Sequence, residues 1–377
     1  ATIRGGALYY WDTSGGPTNR AVLVSSISGA DSVPTVARVT TVSFPDRHFI
    51  AGGCQEYGGS GNVDNMLVRW SSQEQFEKFA PTATNTAGDQ RLEIGTKIVA
   101  MIAAREETII STDEAVYGMT FVGGDFVFSF RLLATDSGAA GLNTMISVDG
   151  DVYWLGKRNF FKYDGIVKEL PCPVQYYMFD RMQKNFIDKT TVGHNKAFKE
   201  ITWFYVSNDN PAGSTNPEPD SFTTFNYAEQ AWTIGTMDRT VWSDSFGARK
   251  VPFAFDPDGY LYEHETGTSA DGAAMNSYIE GSPREISADG ETLYMVDQVI
   301  PDVTMTSSTS LSLFMNTRKF PNSTETVKGP FVITSSTDKV STRAKGRQIS
   351  MKFQSTGTQD DWTLGDFRVN SRQDGLR

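Results

Sequence analysis

The sequence predicts an all-β fold, and three features carry the prediction. Helical periodicity is scarce, and the best amphipathic stretch, residues 176–186, is short. Strand-length alternating runs recur almost everywhere else, among them residues 40–44, 97–102, 126–130 and 200–206. The chain of 377 residues also carries 24 Phe, 14 Tyr, 7 Trp and 34 Gly. Aromatic side chains pack on pleated surfaces and Gly supplies the positive φ of tight turns, so this mixture suits strands joined by hairpins.

A short pattern recurs through the first part of the chain: a turn pair, a variable residue, an aliphatic residue, then Tyr. Its copies are Gly5-Gly6-Ala7-Leu8-Tyr9, Asp113-Glu114-Ala115-Val116-Tyr117, Asp149-Gly150-Asp151-Val152-Tyr153 and Asp258-Gly259-Tyr260-Leu261-Tyr262. The turn pair is expected to close a hairpin, with the aliphatic residue entering a core and Tyr covering the opposite face. Copies begin 108, 36 and 109 residues apart, so the longer gaps are close to three of the shorter. That repetition predicts a β-propeller over residues 1–269. Residues 160–167 and 222–234 read as hairpins, and residues 208–220, rich in Pro, Gly, Asn and Asp, as a long loop between two strands.

Composition changes near residues 267–272, where Ser and Thr become frequent. The net charge of −11 divides as −10 on residues 1–270 and −1 on the remainder. Strand patterns at residues 292–296, 311–315 and 348–353 predict a second, β-sandwich-like domain over residues 270–377.

An acidic chain of pI near 4.9 is a poor coat for nucleic acid, which needs a basic surface. Cys54 and Cys172 belong to no CxxC pair and read as buried free thiols. No run of about 18 apolar residues occurs and no charged-then-apolar leader opens the sequence, so no membrane span or secretion signal is expected.

His48, His194 and His264 stand in no HExxH or HxH pattern, and His264 is expected at a blade edge. Ser147 to Trp154 resembles the Asp-box turn of sialidases but departs from it at the glycine. Asp256-Pro257-Asp258-Gly259 is explained by a tight turn rather than a calcium loop. Phosphate-binding glycine loops and a nucleophile elbow are absent from the sequence, so it nominates no catalytic residue, cofactor or metal ligand. Trp154, Trp203 and Trp232 are expected as buried anchors instead of sugar platforms. The one compact basic cluster, Arg343, Lys345 and Arg347, has the period of two that puts side chains on one strand face, a candidate contact with an acidic neighbouring subunit.

Taken in order, several segments resemble the tail nozzle or hub proteins of short-tailed bacteriophages, and the likeness covers most of the chain. They are Leu67-Val68-Arg69-Trp70-Ser71 with Asn85-Thr86-Ala87-Gly88-Asp89, then Val152-Tyr153-Trp154-Leu155-Gly156, Tyr163-Asp164-Gly165 and Leu261-Tyr262-Glu263-His264-Glu265-Thr266-Gly267. Arg343-Ala344-Lys345-Gly346-Arg347, Trp362-Thr363-Leu364-Gly365-Asp366-Phe367-Arg368 and Asp374-Gly375-Leu376-Arg377 complete the set. The resemblance implies a non-enzymatic virion component: a homo-oligomeric ring of six copies that extends the DNA ejection conduit between an adaptor and fibres or a plug. The sequence departs from that family at its start, which falls inside the propeller. An acidic lumen, repelling the passing genome without binding it, is the matching electrostatic expectation. The alternative is a carbohydrate-binding or glycan-cleaving propeller of a tail, and a third reading is a kelch-like adaptor.

Overall fold

A computed structural model describes residues 5–58, 61–124, 126–210, 217–286 and 291–375. Among these residues are 31 strands, one α-helix at Gln175–Arg181 and three 3-10 turns, so the chain is all-β. It divides into two compact units, Ala1–Glu265 and Thr266–Arg377, against the sequence-based division at 269/270.

The first unit is a series of antiparallel meanders. Sheet one comprises Ala37–Val42, Phe49–Gln55, Val63–Trp70 and Gly88–Arg91. Sheet two comprises Ile98–Ala103, Thr108–Thr112, Ala115–Phe121 and Phe128–Thr135. Sheet three holds Met145–Val148, Asp151–Leu155, Phe160–Tyr163 and Val167–Leu170, and sheet four holds Thr191–Asn195, Glu200–Tyr205, Ser221–Asn226 and Ala231–Thr236. Sheet five has three strands, Val241–Ser243, Phe253–Phe255 and Leu261–Glu263. The first strand of each sheet packs beside the first strand of the next, from sheet one through sheet five. Consecutive meanders whose first strands are neighbours have the strand order of propeller blades.

Strand alternation explains why the sheets stack. Val152 and Trp154 enter the core shared with sheet two, beside Ile109 and Val116, whereas Tyr153 and Leu155 enter the core shared with sheet four, beside Trp203 and Phe225. Successive side chains point to opposite faces, so each middle sheet buries both. Indole N–H groups tie neighbours together. Trp154 donates to the Ser137 carbonyl at 2.7 Å, Trp203 to Thr144 at 3.0 Å and Trp242 to His194 at 2.9 Å.

The four-copy pattern is not the repeat of these sheets. Asp113 and Asp258 sit between second and third strands, Asp149 between first and second, and Gly5 ahead of all five sheets. First strands begin 61, 47, 46 and 50 residues apart, so no 36-residue unit exists. The pattern marks hairpin turns wherever they fall: Asp149 and Gly150, both at positive φ, make such a turn. Its aliphatic residue is buried at Leu8, Val116 and Val152 but exposed at Leu261.

Both expected hairpins are present, as Phe160–Tyr163 with Val167–Leu170 and Ser221–Asn226 with Ala231–Thr236. The helical stretch forms Gln175–Arg181 followed by a 3-10 turn at Lys184–Lys189. Within the expected loop, residues 211–216 lie outside the described residues, as do residues 1–4 and 376–377. Trp154 and Trp203 are wholly buried, and Trp232 is half-buried against Phe160 and Phe225. Cys54 is buried and Cys172 half-buried, both free; burial pushes the Cys54 thiol up to about 12.

In the second unit Ser277–Glu280 and Arg284–Glu285 pair with Gln348–Ser355, which continues to Leu311–Arg318 and Thr326–Ile333. A three-stranded sheet runs Val340–Gly346, Tyr294–Ile300, Arg368–Gln373. Val303–Met305 and Trp362–Leu364 form a separate pair. Leu311, Leu313, Met315 and Phe353 from the larger sheet share one core with Val296, Val299, Val340 and Ala344 from the smaller.

Candidate functional site

The basic cluster falls on the three-stranded sheet. Val340–Gly346 alternates strictly between buried and exposed positions, with Val340, Thr342, Ala344 and Gly346 buried and Arg343 and Lys345 outward. Arg347 lies one residue beyond the strand, so the alternation does not carry it onto that face. It instead donates to the carbonyls of Glu291 at 3.2 Å and Lys319 at 3.4 Å, with its guanidinium 4.8 Å from the centre of the Phe320 ring.

Strand pairing adds cations that spacing along the chain does not suggest. Met295 on the central strand is opposite Lys345 on one side and Arg372 on the other, and Ile300 is opposite Arg368. Residues directly opposite in antiparallel strands share a face. The outward face therefore carries Arg343, Lys345, Arg368 and Arg372 around the apolar side chains of Met295 and Ile300. Two carboxylates moderate it: Asp374 pairs with Lys345 at 2.8 Å, while Asp297 accepts from the Asn370 amide at 2.8 Å and stands 3.9 Å from Arg372. Among the described residues, Arg368–Gln373 pairs only with Tyr294–Ile300, and all six of its residues are exposed on both faces. Such a strand is held by its ladder and buries little of itself.

The first unit concentrates its carboxylates at the sheet connections. On the first strands, the partly exposed positions are Thr, Ser and apolar residues, with Arg38 and His194 the only ionisable side chains there. Asp220, Asp238, Asp256 and Asp258 lie on connections at one end of sheets four and five. Partial burial, with repulsion from Asp220, Asp256 and Asp258, holds the Asp238 carboxyl above its usual range against the opposing attraction of Arg239. Arg239, the nearby cation, faces the Tyr262 ring at 4.4 Å and donates from Nε to His264 Nε2 at 3.0 Å. Burial and that guanidinium push the His264 imidazole down to about 4.

One arrangement has the outline of a charge-relay chain and was not foreseen. Asp46 Oδ2 lies 2.8 Å from His48 Nδ1, and His48 Nε2 lies 3.0 Å from Thr86 Oγ1. The imidazole is wholly buried against Phe121 and Phe128, and Thr86 Oγ1 also accepts from the Gln73 amide at 2.8 Å. A substrate carbonyl has no approach to the ring, so the chain pins the first hairpin of sheet one to the connection that leads into Gly88–Arg91. Among the described residues, no group of three or more His, Cys, Asp or Glu side chains could hold a metal ion. No helix in them is long and apolar enough to cross a membrane.

No family model matches the chain, and no curated protein matches it. Solved structures overlap it loosely. A glycoside hydrolase is 9% identical, covering 88% of this chain and 96% of its own, with a TM-score of 0.26. The N-terminal domain of Nup159 is 9% identical over 84% of this chain and 89% of its own, with a TM-score of 0.30. An exo-β-1,3-galactanase from Phanerochaete chrysosporium is 10% identical over 91% of this chain and 84% of its own, with a TM-score of 0.18. Overlaps this loose carry no weight for either fold or activity.

Proposed function

We propose that this chain is a structural, non-catalytic component of a short-tailed bacteriophage tail, a nozzle or hub whose copies form a ring that extends the DNA ejection conduit. In this reading the meanders of the first unit close as a propeller, and the second unit supplies contacts to neighbouring copies, the adaptor, and fibres or a plug. The observation that carries the reading is the Arg368–Gln373 strand, exposed along its length in a sheet whose outward side is cationic. Exposed strand edges are pairing surfaces that isolated proteins normally cover or blunt. The resemblance of the ordered segments to nozzle proteins supplies the assembly in which such a surface is covered.

Trp154 and Trp203 are unable to stack on a sugar from the core, which weighs against the glycan reading. Native mass spectrometry of the purified chain tests the proposal: a closed oligomer supports it. A monomer at all concentrations, releasing reducing sugar from host polysaccharide, would replace it with the glycan-cleaving alternative.

A further inference from the structure

The two units carry surface patches of opposite local charge. In the second unit Arg343, Lys345, Arg368 and Arg372 surround Met295 and Ile300 on one sheet face. In the first unit Asp220, Asp238, Asp256 and Asp258 gather where the connections of sheets four and five converge, and Arg239 is engaged with Tyr262 and His264. The overall split has the same sense, −10 on the first unit and −1 on the second.

We propose that the cationic face of the Val340–Gly346, Tyr294–Ile300, Arg368–Gln373 sheet docks on the Asp220, Asp238, Asp256 and Asp258 cluster of a second copy. This inference rests on the ring-forming reading and names its contact. The occupant is another copy because this chain itself supplies the complement: four cations, moderated by Asp374 and Asp297, with two apolar side chains on one side, and four carboxylates with Arg239 beside them on the other. The contact joins different surfaces of the two copies, so it is head-to-tail. Heterologous contacts of this kind close into rings when their rotation permits. Met295 and Ile300 at the centre with charges around them match the usual anatomy of an apolar core and polar rim. Because the charges lie at that rim, they act chiefly on encounter rate and partner choice, and salt weakens them.

Sedimentation velocity on the full chain tests the contact. Wild type is expected to self-associate at low ionic strength. Raising salt from about 0.01 M to about 1 M shortens the screening length from about 30 Å to about 3 Å and should weaken association. Arg343→Glu with Arg372→Glu is expected to weaken it about tenfold or more, and so is Asp256→Lys with Asp258→Lys. An equimolar mixture of the two double variants should regain association by alternating along the ring, since each contact then joins opposite charges, and one chain carrying all four substitutions should regain it alone. Circular dichroism and the thermal midpoint control for folding. If wild type assembles and both charge reversals assemble equally well, the docking inference is overturned while the ring reading stands. If the four-substitution chain stays dissociated although each double variant is folded, the pairing of these two surfaces is wrong. If wild type remains monomeric at every concentration and salt, the ring reading fails and this inference with it.

Discussion

Lys345 and Arg372 flank Met295 in one cross-strand row, although 27 residues separate them along the chain. Two cations on the same side of a sheet repel unless carboxylates lie near, and here Asp374 meets Lys345 while Asp297 stands by Arg372. The arrangement makes a face that is cationic yet tolerable in isolation, as the proposed contact between copies requires.

The packing of sheets three and four predicts a large effect at Trp203. Its ring is wholly buried against Phe160, centroids 4.9 Å apart, and its indole N–H satisfies the Thr144 carbonyl. Trp203→Ala should destabilise the first unit by about 3–5 kcal/mol in urea unfolding. Trp203→Phe should cost less, since it keeps the ring contact and loses the hydrogen bond. A loss under about 1 kcal/mol for the Ala variant would contradict this packing.

The Asp46, His48, Thr86 chain is expected to be structural. Thr86→Val keeps the shape and removes the hydroxyl, leaving His48 Nε2 and the Gln73 amide without that partner. The expected cost is about 1–3 kcal/mol in denaturant unfolding, with self-association unchanged. Ester hydrolysis by wild type that Thr86→Val abolishes would show the chain to be catalytic instead.

Much of this fold could be read from residue order, because hairpins are local. Asp164-Gly165 between aromatic and aliphatic runs, and the runs on either side of residues 228–230, announce themselves over a dozen residues. The sheet repeat could not be read that way. What recurs is the side-by-side placement of first strands, while the Asp-Gly type of turn occupies different strand positions in different sheets. For the candidate face, period two along Val340–Gly346 revealed Arg343 and Lys345, but Arg368 and Arg372 join them only through pairing with Tyr294–Ile300. Register between distant strands leaves no mark in linear spacing. Spacing alone places Arg347 with them too, because spacing does not say where a strand ends.

Acid should weaken the first unit through His264. Its folded value of about 4 lies below the usual 6.5 because of burial and Arg239. Between those values the unfolded chain binds more protons, so the contribution is complete above about 6.5 and is lost as pH falls toward 4. His264→Gln, whose side-chain oxygen still accepts from Arg239, should flatten the stability decline over that window in denaturant midpoints. An unchanged decline would contradict the assignment.

Glu200 and Glu265 act in the opposite sense. Burial, and for Glu200 also the neighbouring Glu265, raises both carboxyls, while the Asn195 amide opposes the shift at Glu265 with a 2.9 Å bond. A raised carboxyl favours the fold while protonated, and that contribution is lost as pH rises through its folded value. Glu200→Gln should therefore raise the thermal midpoint at pH 7, and the gain should shrink toward pH 4. A lower midpoint at neutral pH would contradict this.

Negative-stain electron microscopy of the purified full chain at low ionic strength tests the central claim most directly. The account predicts closed rings with a central opening, six copies in each, with the second unit of one copy against the first unit of the next. Uniform single particles of monomer size at concentrations well above those of the sedimentation experiment would contradict it.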